Sequence, residues 1–428
     1  MSCRTRSGIL LRSRLARLQR CNSFGQGGRD DKTFMNILFI SAILPYPLHS
    51  GGQVRLYNLL KLLSKDHEIT LYSFIRNESE RELVSRLSFL KSIHLFYRGH
   101  VWQPKYLFRA LTSDMPLLLS SYENQAMKQA IAKDATEHHY DILHLEPFYV
   151  WPSIPERVQI PIVVAEHNIE YEVYQAYARQ TPIPFIESIL KNDVQKIKKY
   201  EEFVWKKANS IITVSDHDAS IPGCVTDKKK IAVVPNGVDT TYFSFQKKKV
   251  DNRQLKFLFT GNFLWMPNMK AVEILVKDIW PGILKQFPKA QLTIVGKHLP
   301  KHMKNSFDAL HISYQAFVDD IRKEYHQHDI LLAPMTISGG TKFKVLEAFA
   351  SGCLVLTTKE GIEGIDAKEG VMYLRSDTPA SYISNIQMLV EHSKRFEQIT
   401  KQARRLIEEK YSWDAIAEKQ SSVWKQSV

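Results

Sequence analysis

Cysteine is scarce in this chain of 428 residues: Cys3, Cys21, Cys224 and Cys353 are the four. None stands at a metal or redox spacing from another, which argues against a disulfide-stapled scaffold and a cysteine-ligated zinc centre. Long apolar runs are missing as well. No window holds 18 consecutive apolar residues, so no membrane-spanning helix is expected. The dinucleotide fingerprint G-x-G-x-x-G is absent, and no His/Cys/Asp group has ligand spacing, so neither a metal nor a tightly held cofactor is expected. What is present is ordinary for a soluble globular protein, 44% hydrophobic and 24% charged residues. A chain this long exceeds one ordinary core, so two domains are expected, and a reducing cytosol fits the cysteines.

The formal charge of +13 is unevenly distributed. Residues 1–34 carry eight basic side chains against Asp30 and Asp31, a net of +6. The remaining +7 suits an anionic substrate or an anionic membrane face and does not require nucleic acid. The first 34 residues are rich in Arg and Ser and close with Gly25-Gln26-Gly27-Gly28. Three readings stay open for them: an Arg-rich presequence, a basic amphipathic helix touching lipid, or an untranslated leader with Met35 as the start. The third is favoured, because an apolar strand pattern begins at once at Met35-Asn36-Ile37-Leu38. In each case the segment is expected to be poorly ordered and outside the fold.

From Met35 onward, short β-branched runs alternate with stretches of helical period, the pattern of doubly wound α/β architecture. Strands are predicted at Ile37–Ser41, Ile69–Phe74, Ile142–Leu145, Ile162–Ala165, Ile211–Val214 and Ile231–Val234, with a long charged helix over Phe185–Asn209. The pattern then restarts after Pro235-Asn236-Gly237-Val238-Asp239 and the polar stretch Gln246–Gln254. A second set is predicted at Phe257–Thr260, Leu292–Val295, Ile312–Tyr314, Ile330–Ala333, Leu354–Thr357 and Met372–Leu374. Two successive halves of this kind are two Rossmann-like domains, with a cleft between them as the natural ligand site.

The most informative stretch is Gly339-Gly340-Thr341-Lys342-Phe343-Lys344-Val345-Leu346-Glu347, ending at Gly352 before the strand Leu354–Thr357. The glycines and Thr341 are predicted to open a helix with Lys342 in its first turn. Unpaired N–H groups at such a terminus, with a lysine beside them, suit a phosphate. Glu347, five residues on and roughly 7.5 Å up the axis, is placed to accept two ribose hydroxyls. The competing reading is a buried α/β helix behind a capping turn. Ser50-Gly51-Gly52-Gln53 follows the first strand and opens a helix at the ligand-binding edge. Glu166-His167-Asn168 follows another strand; His167 there can take a proton, bond a substrate hydroxyl or cap the next helix. Glu146 has a similar place. Gly261-Asn262 follows the first strand of the second half, and Phe317-Val318-Asp319-Asp320 offers backbone to a planar base, or aspartates that cap a helix.

Taken together, Ser50-Gly51-Gly52, Val233–Asp239, Gly339–Gly352 and the closing Tyr411-Ser412-Trp413-Asp414-Ala415-Ile416-Ala417 resemble, in order and spacing, the GT-B glycosyltransferases of family 4. The resemblance covers about residues 35–425. It implies a GT-B fold: an acceptor domain over 35–240, a nucleotide-sugar donor domain over 241–410, and a C-terminal helix over 411–428 that returns towards the first domain. It also implies transfer of a hexose from a nucleoside diphosphate to a hydroxyl with retention of configuration. Glu347 would bind the donor ribose. Gly339, Gly340, Thr341 and Lys342 would surround the diphosphate and sugar, with Gly261 and Asn262 opposite. Val318 would meet the base, Gly51 and Gly52 the phosphate or acceptor, and His167 the donor sugar.

The chain departs from that family at several positions. Gly339 stands where many members carry the first Glu of a Glu-x7-Glu pair, Asn262 where an arginine is common, and Met269 or Lys270 near a usual lysine. A branch sharing the Gly-Gly-Thr-Lys/Arg start resembles it in these respects. The resemblance implies a saccharide or lipid-linked acceptor, no metal, no nucleic acid, and a cytoplasmic place with peripheral contact to the anionic inner face of the plasma membrane. Two other functions remain open: a non-catalytic nucleotide-sugar-binding partner, and a sugar-nucleotide epimerase or hydrolase.

Overall fold

The computed structural model describes residues 34–101, 103–179, 184–248, 254–337 and 340–428. The basic leader up to residue 33 and Gly339 lie outside the described residues.

Two all-parallel sheets organise the chain. The first is built from β1 (Asn36–Ser41), β2 (Glu68–Ile75), β3 (Ser92–Tyr97), β4 (Ile142–Glu146), β5 (Ile162–Ala165), β6 (Ser210–Thr213) and β7 (Ile231–Val233). Its spatial order is β3-β2-β1-β4-β5-β6-β7. The second holds β8 (Lys256–Thr260), β9 (Gln291–Val295), β10 (Ile312–Gln315), β11 (Ile330–Ala333), β12 (Leu354–Thr357) and β13 (Leu374–Arg375), in the order β10-β9-β8-β11-β12-β13. Both orders reverse direction beside their first strand, the doubly wound pattern that opens a crevice at the strands' carboxyl ends. This is the GT-B arrangement of two Rossmann-like sheets.

The helices used below are α1 (Gly51–Leu63), α2 (Glu170–Arg179), α3 (Pro184–Lys207), α4 (Met266–Ile274), α5 (Ile321–Gln327), α6 (Phe343–Ser351), α7 (Ser393–Leu406) and α8 (Trp413–Gln426). None of the helices in the described residues is long and apolar enough to cross a membrane.

Successive residues of a strand point to opposite faces, so a sheet covered on both sides reads as a continuous apolar run. In β1, Ile37 and Phe39 join one core with Leu56, Leu59 and Leu60 of α1, while Leu38 and Ile40 join the opposite core with Val204 and Trp205 of α3. The strand missing from the sequence reading is β3. It lies at the sheet edge with no fully buried residue, so its Ser-Ile-His-Leu-Phe-Tyr pattern lacks the apolar run that marked the others. The expected last strand, Met372–Leu374, shrinks to Leu374–Arg375.

The last helix, α8, is capped by Ser412, whose hydroxyl accepts the Ala415 amide. Its Trp413, Ile416 and Trp424 are buried in the core that contains α1. Trp424 donates its indole N–H to His144 Nδ1 at 3.1 Å. Arg404 of α7 donates to the carbonyls of Thr240, Phe243 and Ala350, so one side chain fixes the connecting segment against the carboxyl end of α6. Trp424→Ala is expected to lower the free energy of urea unfolding by about 3–5 kcal/mol through the cavity it leaves. Trp424→Phe, which keeps most of the volume and loses the indole bond, should cost about 1 kcal/mol.

Candidate functional site

Helix α6 begins later than its sequence suggests. Gly340 has φ +61, in the left-handed region that glycine adopts without a side-chain clash. Lys342 is the N-cap, with φ −83 and ψ 107, and the helix starts at Phe343. Lys342 is therefore outside the first turn, and Thr341 before it anchors the loop. Thr341 Oγ1 donates to the Val214 carbonyl at 3.0 Å, and Asn236 Nδ2 donates to the Thr341 carbonyl at 3.3 Å. Those contacts tie the loop to the first half of the chain. Close by, a Cβ on Gly51 would lie 2.9 Å from the Phe343 ring, so the start of α1 meets the start of α6 where only a glycine fits.

On the second sheet, Lys344 Nζ donates to Asn268 Oδ1 at 2.8 Å and lies 4.3 Å from the centre of the Phe259 ring. Asn268 in turn donates to the Asn262 carbonyl at 3.0 Å, which joins the Gly261-Asn262 loop to α6. The Glu347 carboxylate accepts from the Tyr325 hydroxyl at 2.7 Å, and that hydroxyl stands 3.2 Å from Thr260 Oγ1. Burial pushes the Glu347 carboxyl up, against the Tyr325 bond and the charge of Lys344. Burial also lowers both lysines. Lys344 falls to about 7, helped by its neighbour Lys342, and Lys342 falls to about 8 despite Glu363, Asp218 and Glu360. Lys342 Nζ bonds the Gly340 carbonyl at 2.9 Å. Val318 sits apart, half-buried against the second core at the end of β10, beside an exposed Phe317 with Lys297 over its ring.

On the first sheet, a buried carboxylate organises the crevice. Glu146, at the carboxyl end of β4, is 2% exposed and bonds His167 Nε2, His144 Nε2 at 3.2 Å and Arg55 Nε at 3.3 Å. Burial would raise its pKa, but His167, His144 and Arg55 outweigh that and hold it well below the usual carboxylate range. The tautomer that gives Nε2–H to Glu146 leaves His167 Nδ1 as an acceptor, facing Gly52 at 3.3 Å from where a Cβ would be. The His167 carbonyl stands 3.5 Å from the corresponding point on Gly340. Gly51, Gly52, His167, Gly340 and Thr341 are therefore neighbours, while Gly261, Asn262 and Glu347 gather around Lys344 and Tyr325.

Several members of this constellation escaped the sequence reading. Arg55, one helical turn after Gly51-Gly52, donates to the Pro235 carbonyl at 2.8 Å and Asn236 Oδ1 at 3.3 Å. Its spacing from the glycines was the available signal. Tyr325 had none, lying inside α5 with no motif around it.

Glu166, one residue before His167, behaves in the opposite way to Glu146. It accepts from Trp205 Nε1 at 3.1 Å and lies near Glu201, whose carboxylate caps α2 by accepting the Glu170 and Tyr171 amides. Among the described residues no cation pairs with it, and burial raises it to about 8. The native state thus holds a proton that the unfolded chain releases near 4.3. The stability from that proton is complete below the unfolded value and is lost as pH rises through about 8. Glu166→Gln should remove this part of the pH dependence, so its unfolding free energy should fall less between pH 5 and 8 than that of the wild type. Glu146→Gln should instead destabilise by about 3–5 kcal/mol at pH 7, because Arg55 is left buried without its carboxylate. Chemical denaturation across pH reads both.

Comparison with known proteins places this geometry. Residues 49–242 match the model of Glycosyltransferase Family 4, and residues 254–392 match that of Glycosyl transferases group 1. An uncharacterized 44.6 kDa protein of the Klebsiella pneumoniae cps region is 20% identical over 390 residues, covering 88% of this chain and 96% of that protein. Spore coat protein SA of Bacillus subtilis is 21% identical, covering 90% and 97%. Among solved structures, sucrose-phosphate synthase of Thermosynechococcus elongatus superposes with a TM-score of 0.69 at 15% identity, over 92% of this chain and 98% of that one. Anabaena HepE in complex with UDP gives 0.60 at 14% identity, over 92% and 100%. The chain thus carries a glycosyltransferase family 4 domain followed by a glycosyl transferases group 1 domain, on a GT-B fold.

Proposed function

We propose that this protein moves a hexose from a nucleoside diphosphate sugar to a hydroxyl of a saccharide or lipid-linked acceptor, with retention of configuration. The observation that carries the reading is the pair of partly desolvated lysines, Lys342 and Lys344, at the start of α6, with Glu347 behind them on the same helix. Such a place favours phosphate negative charge, and first-turn amides add to its attraction. Glu347 would hold the ribose, exchanging its Tyr325 bond for sugar hydroxyls or sharing it with them. That HepE was solved with UDP and with UDP-glucose supports a uridine nucleotide as the first donor to test.

In the reaction, the bond between the sugar C1 and the phosphate oxygen breaks as the acceptor oxygen bonds to C1 from the same face. The electron pair leaves with the nucleoside diphosphate, and the acceptor proton passes to the departing phosphate oxygen. The lysines and the α6 amides stabilise that oxygen as it gains charge. His167, oriented by Glu146, stands on the side of the first sheet and would position the donor sugar or the acceptor hydroxyl. A cytoplasmic place against an anionic membrane is part of the proposal. What supports it is the exposure of Phe108, Leu111, Phe185 and Ile189 on neighbouring helices joined by Lys196, which donates to the Ala110 and Ser113 carbonyls.

Glu347→Ala should lower kcat/KM about a hundredfold, ~2.7 kcal/mol of transition-state stabilisation, with the fold intact by circular dichroism. Donor binding should carry a proton signature. Above about pH 7 the free protein loses protons from Lys344 and then Lys342, and a bound diphosphate draws them back. Donor affinity should therefore weaken as pH rises from 7 to 9. Calorimetry at pH 8 in buffers of different ionisation heat should report uptake of about one proton per donor bound. Affinity independent of pH, with no proton taken up, would contradict the assignment of these lysines.

A further inference from the structure

Trp205, Trp280 and Trp424 are buried, and their indole N–H groups donate to Glu166 Oε1, the Leu310 carbonyl and His144 Nδ1. Trp265 differs on both counts. It is 39% exposed, and among the described residues nothing accepts its N–H. It stands on the loop after β8, between Gly261 and α4, next to Leu264, which is 68% exposed. From the first half, Tyr177 near the end of α2 sets its ring edge-on against Trp265, with ring centres 6.3 Å apart and planes at 65°. Tyr177 is itself 38% exposed. A single apolar side chain in water needs no explanation, but three large ones that share one place mark a contact surface.

Both rings are held in place from behind. Trp265 is the N-cap of α4, and its side chain has no acceptor for the first amides of that helix. The Tyr177 hydroxyl accepts the Met266 amide instead, so a residue of α2 caps α4 and fixes its own ring beside Trp265. The Trp265 carbonyl accepts the Asn268 amide at 3.0 Å, and Asn268 Oδ1 accepts from Lys344 Nζ at 2.8 Å. The patch is thus continuous with the lysines at the start of α6. Its two rings come from opposite sides of the crevice. The loop of Trp265 leaves the carboxyl end of β8, and α2 begins three residues after His167 at the carboxyl end of β5, the edges where open α/β sheets take ligands.

We propose that Trp265 and Tyr177 form a platform for a pyranose ring of the acceptor. A pyranose presents a face of C–H bonds and an edge of hydroxyls. The C–H face covers the exposed rings and Leu264, and a hydroxyl at the edge accepts the Trp265 N–H. Three features favour a sugar ring over a lipid tail or a protein partner. The patch is small, two rings and one leucine. It offers an N–H that an apolar occupant would leave unsatisfied. It adjoins the donor lysines through Asn268. The proposal rests on the transferase reading and gives that reaction a contact for its acceptor.

The test titrates the wild-type chain, with UDP present, with methyl glucoside, methyl galactoside, methyl mannoside and sorbitol, which has the hydroxyls without the ring. At least one pyranoside should bind about tenfold more tightly than sorbitol, and its C–H protons should take up magnetisation from the aromatic protons of the protein in saturation-transfer NMR. Trp265→Ala should weaken that binding about tenfold, and Trp265→Phe, which keeps a ring, should restore part of it. UDP titrated alone reads the donor side and should bind the wild type and both variants equally. Absence of UDP binding in the wild type would count against the transferase reading. With UDP binding intact, no preference for a pyranoside over sorbitol would overturn this proposal alone, as would a preference that survives in Trp265→Ala. Equal losses of UDP and pyranoside in Trp265→Ala would make the pair a latch between the halves and overturn it too. So would binding to phosphatidylglycerol vesicles that depends on Trp265, the mark of a lipid contact. The wild-type panel needs no variant, so a poorly folding Trp265→Ala leaves the test decisive.

Discussion

A buried carboxylate cannot stay ionised unless positive or donating groups surround it, and Glu146 draws its groups from across the chain. Arg55 comes from α1, His144 from the same strand, and His167 from the loop after β5. Each partner is then bound to something further away. His144 accepts the indole of Trp424, which holds the last helix against the first sheet. Arg55 reaches Pro235 and Asn236, and Asn236 holds the Thr341 carbonyl of the second half. His167 lies beside Gly52 and Gly340. Compensating this one charge thus fixes the glycine loop, the connecting segment, the last helix and the entry to α6 relative to each other.

The two sides of the crevice are electrostatic opposites. Around Glu146 the charges are paired before any ligand arrives. Around Lys342 and Lys344 burial weakens the positive charge, and an arriving anion would strengthen it. Glu166 and Glu201 form a third case: two carboxyls without a paired cation among the described residues, raised by burial, whose oxygens serve as hydrogen-bond acceptors for Trp205 and for the amides of α2. Polar groups in this protein are therefore informative by what they lack as well as by what they touch.

The places of the parallel strands along the chain were legible because a strand covered on both faces must be apolar throughout, as in Ile37–Ile40 and Leu331–Leu332. β3 was not, since an edge strand with half-exposed residues carries no such run. The glycine-threonine-lysine stretch was recognised as a helix entry, but its boundary was set too early. Local propensity does not register that Thr341 is anchored to Val214 and Asn236, more than 100 positions away in sequence. Glu146 and His167 could be marked individually from their places at strand ends. That they share a bond, and that Arg55 completes the group across 91 positions, follows only from the fold. Lys344 was visible as a charge, yet its place over Phe259 and beside Asn268 was not.

The central claim is that the start of α6 holds the diphosphate of a nucleotide sugar. The most direct test is thermal unfolding of the wild type and of Lys344→Met against a panel of nucleoside diphosphate sugars, since a ligand bound to the native state raises the midpoint by mass action. The account predicts that at least one sugar nucleotide raises the midpoint of the wild type and that the rise shrinks in Lys344→Met. A panel without any stabilising member, or a rise of equal size in Lys344→Met, would contradict it.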